Sequence, residues 1–400
     1  MRHGVLHGVA ICLTILSLSL MAGCGSGSGS ATPAEDSENM AAAGMTGAPA
    51  ELLPNAEELW SGKVPVDAGA GSLDGVFLGQ CPDLNGKISS RIYLVTSTNQ
   101  VIAVDQRGIP KWVFKRMALP PEYAPVEGPT AVVFLTRNKL WIVDRETGSL
   151  INVRTLPFTP SAPPAVTRST VYIPSLADNR IYTVSIKDGD LGWRKRLSSP
   201  IKAAPTIASG VGRPSLHVAT EKGGVFAFDA LDASAPPPSE PRWQKKLPDA
   251  VVADLTTSND RSVVYIASED FSLHAFRAST GEEAWSYSAG RALRVSALEV
   301  GEMVFIKNGD EVVGLNAADG AVKWSMKDIE RPICRWGGEY LLLAADGKVL
   351  RVMADSGKVL TSEMLPDGMP TDFVVTDPMG GRLITADRDW NLSVMVRRKF

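Results

Sequence analysis

The chain has 400 residues, a formal net charge of −3 and a hydrophobic content of 44%. Acidic and basic residues are nearly balanced and form no long run of one sign, which argues against nucleic acid as a partner. The length suffices for a large folded domain, and with only four Cys the fold cannot depend on a network of disulfides.

The chain begins with a predicted targeting segment, residues 1–23. A single basic residue, Arg2, precedes an apolar stretch that is too short to span a membrane. The stretch ends in LMAGC (residues 20–24), which resembles the bacterial lipobox, where the Cys becomes the lipidated first residue. The alternative is an ordinary secretory peptide with an incidental Cys. Gly25 replaces the Asp that retains lipoproteins at the inner membrane, so Cys24 is expected to anchor the protein in the outer membrane, facing the periplasm.

Residues 24–56 are predicted to be the lipidated Cys and a flexible tether. Gly, Ser, Ala, Thr and Pro dominate this stretch, and such a composition cannot bury a core. Residues 57–400 are predicted to form one domain.

That domain is predicted from an internal repeat, which is clearest in residues 262–290. The short run VVYIA (263–267) is rich in β-branched residues and indicates a buried strand. A polar turn leads to a second strand, and a turn that ends in Gly281 leads to a third strand with Trp285. One such sheet cannot cover its own two apolar faces, so it needs neighbouring copies.

The uninterrupted copies share a small or branched residue, a Gly six positions later and a Trp four positions after the Gly; the copy that reaches Gly108 and Trp112 is one residue shorter in its turn. We expect the Trp side chains to fill the gap that widens outward between neighbouring sheets. These residues are Trp112, Trp193, Trp243, Trp285 and Trp324. Asn152 and Thr361 replace Trp in two copies, and a Pro-rich insertion at 231–241 is expected to be an exposed loop. Uninterrupted copies are offset by about 37 to 42 residues, the length of a four-stranded propeller blade.

Eight hairpins are predicted. Their first strands start near Ile92, Val132, Val171, Leu216, Val264, Val304, Leu341 and Leu383. The eighth copy runs out of chain before its outer strand, but ELWS (58–61) closely echoes EAWS (283–286). The sequence therefore predicts an all-β, eight-bladed propeller of four-stranded antiparallel blades. We expect the N-terminal strand with Trp60 to complete the last blade and leave no open sheet edge.

Cys81 and Cys334 lie in copies that are not neighbours in the ring. A disulfide needs two Cα atoms within about 7 Å of each other. We therefore expect two unpaired, buried thiols.

The repeat resembles the pyrroloquinoline-quinone (PQQ) type of propeller repeat across essentially all of 57–400. The features that carry this resemblance are the D-x-x-T-G turn, as in DRETG (144–148), and the Trp four residues after the Gly. The lipobox, followed by LWS (59–61), a Gly-rich loop and the first hairpin, resembles the BamB family of outer-membrane assembly lipoproteins. This resemblance implies a non-enzymatic, eight-bladed scaffold that docks on the barrel-insertion protein BamA and its periplasmic domains.

An enzymatic alternative is a PQQ- and Ca²⁺-dependent quinoprotein dehydrogenase. Such enzymes carry adjacent Cys residues, a set of Ca²⁺ ligands and a catalytic Asp. This chain has no adjacent Cys, and Asp105, Asp144 and Asp229 lie in repeat turns, where Asp is common. His217 and His274 stand singly in predicted strands, which favours packing over metal binding. We expect no catalysis, no cofactor and no metal.

Function is expected in the connections between blades, because a rigid ring positions its loops. One connection carries Arg291, Leu293 and Arg294, and the next carries Asp328 and Glu330. BamB-like proteins use a comparable Leu- and Arg-bearing loop against BamA, and Arg beside apolar residues suits an interface. The alternative is that these are solvated loop charges.

The expected partners are other envelope proteins, a BamA-type barrel-assembly protein among them, and the membrane through the lipid anchor. The propeller is expected to be monomeric. A second alternative function is an envelope scaffold or ligand-sensing propeller with an unrelated partner.

Overall fold

A computed structural model describes residues 52–398 apart from residues 68, 80, 83–87, 89–90 and 210–212. The predicted signal peptide and Cys24 lie outside the described residues. The described part of the chain contains 32 β-strands and no helix, and hence no helix that could cross a membrane. The strands form eight four-stranded antiparallel sheets, which pack side by side as the blades of a ring. The predicted all-β, eight-bladed propeller is confirmed.

Each blade is built from four strands, the first of which is innermost. Strand β1 spans Ala56–Lys63. Blade 1 comprises β2 (Leu73–Leu78), β3 (Ile92–Thr96), β4 (Val101–Val104) and β5 (Pro110–Phe114); blade 2 comprises β6 (Val126–Glu127), β7 (Ala131–Thr136), β8 (Lys139–Asp144) and β9 (Leu150–Thr155). Blade 3 comprises β10 (Ala165–Val166), β11 (Thr170–Pro174), β12 (Arg180–Ser185) and β13 (Leu191–Arg196); blade 4 comprises β14 (Thr206–Ala208), β15 (Ser215–Ala219), β16 (Gly224–Asp229) and β17 (Trp243–Lys246).

The second half of the ring repeats the arrangement. Blade 5 comprises β18 (Thr256–Thr257), β19 (Val263–Ala267), β20 (Ser272–Arg277) and β21 (Glu283–Ser288); blade 6 comprises β22 (Leu298–Val300), β23 (Met303–Asn308), β24 (Glu311–Asn316) and β25 (Val322–Lys327). Blade 7 comprises β26 (Ile329–Trp336), β27 (Glu339–Ala344), β28 (Val349–Met353) and β29 (Val359–Glu363); blade 8 comprises β30 (Phe373–Val375), β31 (Arg382–Ala386), β32 (Asn391–Arg397) and β1.

The N-terminal strand closes the ring, as predicted. Strand β1 pairs antiparallel with β32, and Trp60 lies opposite Val394. Blade 8 in turn contacts blade 1 through β30 and β2. The first and last described strands therefore share one blade, so the closure is maintained by backbone hydrogen bonds.

The packed region begins earlier than the predicted boundary at residue 57. Leu52 and Leu53 are almost completely buried in a cluster with Ile333 and Trp336 of blade 7. The Trp336 indole N–H donates a hydrogen bond to the Pro54 carbonyl at 3.2 Å. The predicted tether to residue 56 was therefore wrong at its end, because these two Leu cover an apolar gap between blades 7 and 8.

Trp side chains on the outer strands connect each blade to the next. In blade 5 the Trp285 indole N–H donates to the Ala317 carbonyl of blade 6 at 3.0 Å. The corresponding pairs are Trp112 with Arg145, Trp193 with Asp232, Trp243 with Ala278, and Trp324 with Ala354. Asn152, at the Trp position of blade 2, donates its amide to two carbonyls of blade 3, at 3.1 and 2.7 Å. Trp60 is half-buried and lies over Gly108 of blade 1.

The Trp residues also depend on the residues beside them in the sheet. Tyr265 and Trp285 flank Ala275 on the strand between them, and their ring centroids are 5.7 Å apart. Four other blades repeat this ring pair across a small residue, in Tyr93–Trp112, Tyr172–Trp193, His217–Trp243 and Phe305–Trp324. Blade 2 has Ile142 beside Asn152 instead. Ile142, on the strand between Val133 and Asn152, is larger than the small residue of the other blades and fills the space that the two aromatic rings occupy there.

The repeat Gly is explained by two constraints, which Gly281 illustrates. Its φ is 71°, a region that side chains other than Gly rarely adopt. A Cβ at this position would come within 2.6 Å of the Trp243 ring from blade 4. The Gly281 turn of blade 5 therefore forms the surface against which Trp243 of blade 4 packs.

The Pro-rich insertion between β16 and β17 packs partly against blade 3. Its Asp232 carbonyl accepts the Trp193 hydrogen bond, and Lys195 Nζ donates to the carbonyls of Pro238 and Ser239 at 2.9 and 2.7 Å. The expected exposed loop is therefore exposed only in part, because Ala233 and Pro238 are buried where the insertion covers the outer strand of the neighbouring blade.

Because strands alternate in direction, connections after the second and fourth strands of a blade lie on one face of the ring, here called the upper face. Connections after the first and third strands lie on the lower face.

Candidate interaction surface

The two described His residues are held by nearby side chains. His217 lies inside blade 4, with Nε2 2.8 Å from Ser215 Oγ, and burial lowers its pKa to about 3. His274 lies between Asp270 and Glu283, with nitrogen-to-oxygen distances of 3.1 and 3.2 Å. In the part of the chain that the structure describes, no group of three or more His, Cys, Asp or Glu is placed to hold a metal ion.

The Asp residues of the repeat turns bind their own turns. Asp105 Oδ1 accepts the backbone N–H groups of Arg107 and Ile109 at 2.8 and 3.1 Å. Asp144 makes equivalent bonds in blade 2, and Asp229 pairs with a nearby Arg side chain. The Asp105 and Asp144 carboxylates therefore stabilise their turns, whereas Asp229 holds Arg242 at the far end of the insertion.

The two described thiols are buried and unpaired, as expected. Burial raises the pKa of both Cys81 and Cys334. Arg261 Nη2, in blade 5, donates to Cys81 Sγ at 3.8 Å. Because Cys81 belongs to blade 1, this contact spans the central channel at the lower face.

The connection between β21 and β22 lies on the upper face and is fixed at three points. The Ala289 N–H donates to the Phe271 carbonyl at 2.7 Å, and the Leu293 N–H donates to the Ser268 carbonyl at 3.1 Å. Asn308 of blade 6 donates its amide to the Ala289 carbonyl at 3.1 Å. The loop is therefore held between the turns of two blades.

The side chains of this connection divide between core and surface. Leu293 is only 1% exposed and packs with Trp285 and Ile306, so the expectation that it contacts a partner is corrected: it fastens the loop to the core. Arg294 is largely exposed, and its Nε donates to Glu269 Oε1 at 2.5 Å. Arg291 is exposed, and its guanidinium lies over Gly309 of blade 6. Both Arg head groups thus remain on the upper face.

The two predicted acidic residues are separated by the fold. Asp328 is exposed and forms the whole connection between β25 and β26, with φ at 58°. Glu330 lies in β26, half-buried, 3.4 Å from Arg331 Nε. Arg331 also donates to Thr376 of blade 8. Asp328 therefore shares the upper face with the two Arg, whereas Glu330 takes part in the contact between blades 7 and 8.

Phe271 is a surface feature that the sequence reasoning missed. It occupies a tight upper-face turn with φ at 72°, and its side chain is 52% exposed. A bulky residue at this φ is strained, and an exposed aromatic ring gains nothing from burial. The corresponding turn positions of other blades hold Asn99, Asn179, Gly223, Gly347 and Trp390, and the Trp390 ring is buried. An aromatic residue at an Asn or Gly position was the available sequence signal.

Phe271, Arg291, Arg294 and the exposed Val295 form what we call the blade 5–6 patch. The patch combines an aromatic ring and an aliphatic side chain with two Arg on a loop that is fastened to the core. Aromatic residues and Arg are enriched among the residues that dominate binding energy at protein interfaces. The arrangement is suited to binding another protein.

Comparison with known proteins relates the chain to one family. A family model described as "Outer membrane protein assembly factor BamB" matches residues 159–236 and 236–372, more than half of the chain. The outer membrane protein assembly factor BamB of Yersinia pestis is 29% identical over 181 residues, which cover 40% of this chain and 44% of that protein. The match therefore spans less than half of that relative's length.

Solved structures share the fold at low sequence identity. The crystal structure of BamB from Moraxella catarrhalis is 16% identical, has a TM-score of 0.57, and the match covers 81% of this chain and 99% of that one. The computationally designed Ika8 protein is 13% identical, with a TM-score of 0.56 and coverage of 84% and 98%. Saccharomyces cerevisiae Sqt1 is 11% identical, with a TM-score of 0.57 and coverage of 86% and 99%. These likenesses concern the ring alone.

Proposed function

Because the chain belongs to the family of the outer membrane protein assembly factor BamB, we propose that it is a non-enzymatic scaffold of outer-membrane β-barrel assembly. In this proposal Cys24 carries a lipid that anchors the protein in the outer membrane on the periplasmic side. The ring docks on a BamA-type barrel-assembly protein through the blade 5–6 patch.

The observation that carries the docking site is the exposed, strained Phe271 beside two Arg. Strain at φ 72° and exposure of an aromatic ring both oppose stability. Binding a partner would bury the ring, and the neighbouring Arg291 and Arg294 would orient acidic or carbonyl groups of that partner. Asp328, on the same face, adds a group of opposite charge at the next connection.

The non-enzymatic part of the proposal is supported by the His, Asp and Cys side chains, which are already buried or hydrogen-bonded within the ring. His217 is enclosed in blade 4, and the turn carboxylates Asp105 and Asp144 accept backbone hydrogen bonds. The contact between Cys81 and Arg261 occupies the lower mouth of the channel. Reduction of a redox dye by the pure protein with PQQ and Ca²⁺ would contradict this part.

The docking proposal is tested by affinity capture of the tagged full chain from membranes after crosslinking. We expect the wild-type protein to recover a barrel-assembly component. Phe271→Ala and Arg291→Glu should each lower that recovery about tenfold, since loss of one dominant interface residue costs about 1–2 kcal/mol or more. Leu176→Ala is the matched control, because Leu176 is an exposed apolar residue in an upper-face turn of blade 3.

Thermal unfolding of each variant checks that the ring is intact. Capture of no barrel-assembly component by the wild-type chain would contradict the role in assembly. Equal loss in Leu176→Ala and Phe271→Ala would leave the role in place and refute the blade 5–6 patch as its site.

A further inference from the structure

Charge is distributed unevenly around the ring, although the net charge of the chain is small. In residues 73–205, which form blades 1–3, Lys and Arg outnumber Asp and Glu by seven. In residues 206–398, Asp and Glu outnumber Lys and Arg by six. Because consecutive blades are neighbours in space, the ring has a basic side and an acidic side.

The outer strand of blade 3 concentrates the basic side chains. Arg194 and Arg196 of β13 are both exposed and, being two residues apart, lie on the same face of the sheet. Arg196 is directly opposite Arg180 of the adjacent strand, and like charges at such positions are destabilising. Arg180 is neutralised by Asp178 at 2.7 Å. The other two head groups point to solvent, where an external anion would compensate them.

The outer strands of blades 1 and 2 place exposed aliphatic side chains on the same rim as the basic residues of blade 3. In β5, Lys111 and Val113 share the outward face, and Lys115 follows on the same face. Lys111 pairs with Asp105 at 2.9 Å and Lys115 pairs with Asp67, so the two Arg of blade 3 carry the larger part of the uncompensated charge. Val113 is 40% exposed, and Val153 on the outer strand of blade 2 is 46% exposed. Lys and Arg interspersed with exposed aliphatic residues are typical of surfaces that lie on anionic lipid bilayers.

We propose that the outer rim of blades 1–3 rests on an anionic phospholipid bilayer. The basic groups lie on the rims of blades 1 and 3, on either side of Val153 of blade 2, instead of converging on one pocket, and a continuous layer of lipid head groups matches such a spread. The exposed Val113 and Val153 would enter the boundary between head groups and acyl chains. This inference does not depend on the docking role, since the blade 5–6 patch belongs to other blades and stays free.

The test is flotation of the full chain with lipid vesicles, from which the lipid concentration for half-maximal binding is obtained. Vesicles of phosphatidylcholine alone measure the binding that needs no anionic lipid, including any binding through a lipid on Cys24, and serve as the baseline. Vesicles with about one-third phosphatidylglycerol should bind the chain at least about tenfold more tightly at 50 mM salt, because each basic residue near such a surface adds about 1 kcal/mol. Salt at about 500 mM should remove this difference by screening.

The double variant Arg194→Glu and Arg196→Glu should lose most of the anionic-lipid preference. Lys323→Glu with Lys327→Glu is the matched control, because these exposed residues occupy the outer strand of blade 6 on the acidic side. Circular dichroism checks the fold of both.

Three outcomes would overturn the proposal. The first is that the wild-type chain binds both kinds of vesicle equally well. The second is that the Lys323→Glu, Lys327→Glu control loses as much binding to anionic vesicles as the Arg194→Glu, Arg196→Glu variant. The third is that the wild-type chain binds immobilised poly-glutamate but not phosphatidylglycerol vesicles. The last would assign the rim to an acidic protein.

Discussion

His217 should make the protein less stable as the pH falls from 7 to 5, and His217→Phe should remove this part of the pH dependence. The side chain is fully buried in blade 4, where Nε2 meets Ser215 Oγ and Nδ1 has no hydrogen-bond partner. Burial lowers the pKa to about 3, so the folded protein resists protonating this ring.

The sign and size follow from the two pKa values. The unfolded chain binds a proton at this His below about pH 6.5, whereas the folded chain does so only near pH 3. The free energy of unfolding is therefore unaffected above pH 6.5 and falls by about 1.4 kcal/mol per pH unit between the two values. At pH 5 the loss reaches about 2 kcal/mol. Phe is a suitable replacement because Phe305 occupies the corresponding position in blade 6, 5.6 Å from Trp324.

Equilibrium urea unfolding at pH 7, 6 and 5 measures the effect. Between pH 7 and 5 the wild-type chain should lose about 2 kcal/mol more than His217→Phe. His274→Gln is the control, because it changes the other described His and leaves His217 in place. Between pH 7 and 5 this variant, like the wild-type chain, should lose about 2 kcal/mol more unfolding free energy than His217→Phe. If the wild-type chain and His217→Phe lose the same free energy, the buried-His argument is refuted.

Two further predictions concern the contacts between blades. Gly281→Ala should cost about 3 kcal/mol and Gly290→Ala about 1 kcal/mol of stability in urea unfolding: both glycines have φ near 71–72°, but only the Cβ at Gly281 would collide with Trp243. Equal losses would contradict the steric explanation. Asn152→Ala should cost about 1–3 kcal/mol and increase hydrogen exchange where blades 2 and 3 meet, because two carbonyls lose their donor. Unchanged stability would show that water replaces the amide.

The predicted hairpins agree closely with the structure because the repeat encodes each blade locally. The strand expected near Ile92 begins there, and the one expected near Val171 begins at Thr170. Strand length, turn residues and the buried Trp are set by short-range pattern, and eight copies reinforce one another. Trp60 could be assigned to the last blade because its neighbours repeat those of Trp285.

The candidate site was only partly predictable. Arg291 and Arg294 lie on the surface as expected, but Leu293 in the same connection is buried, because apolar side chains of blades 5 and 6 pack around it. Leu53 follows a tether-like composition and is nevertheless part of the core, since its partners are nearly three hundred positions away in blade 7. No pattern within a short window contains that information.

The amino-acid sequence alone determined the architecture, because a propeller repeats one local design and the ring closes when its copies fill the circle. Which side chains meet on a face was decided by tertiary structure. The strained Phe271 lies beside the Arg-bearing connection, and Arg194 and Arg196 join the rim of blades 1–3, only because folding places their strands and turns next to one another. Surfaces depend on contacts between distant segments, and those contacts exist only once the ring is complete.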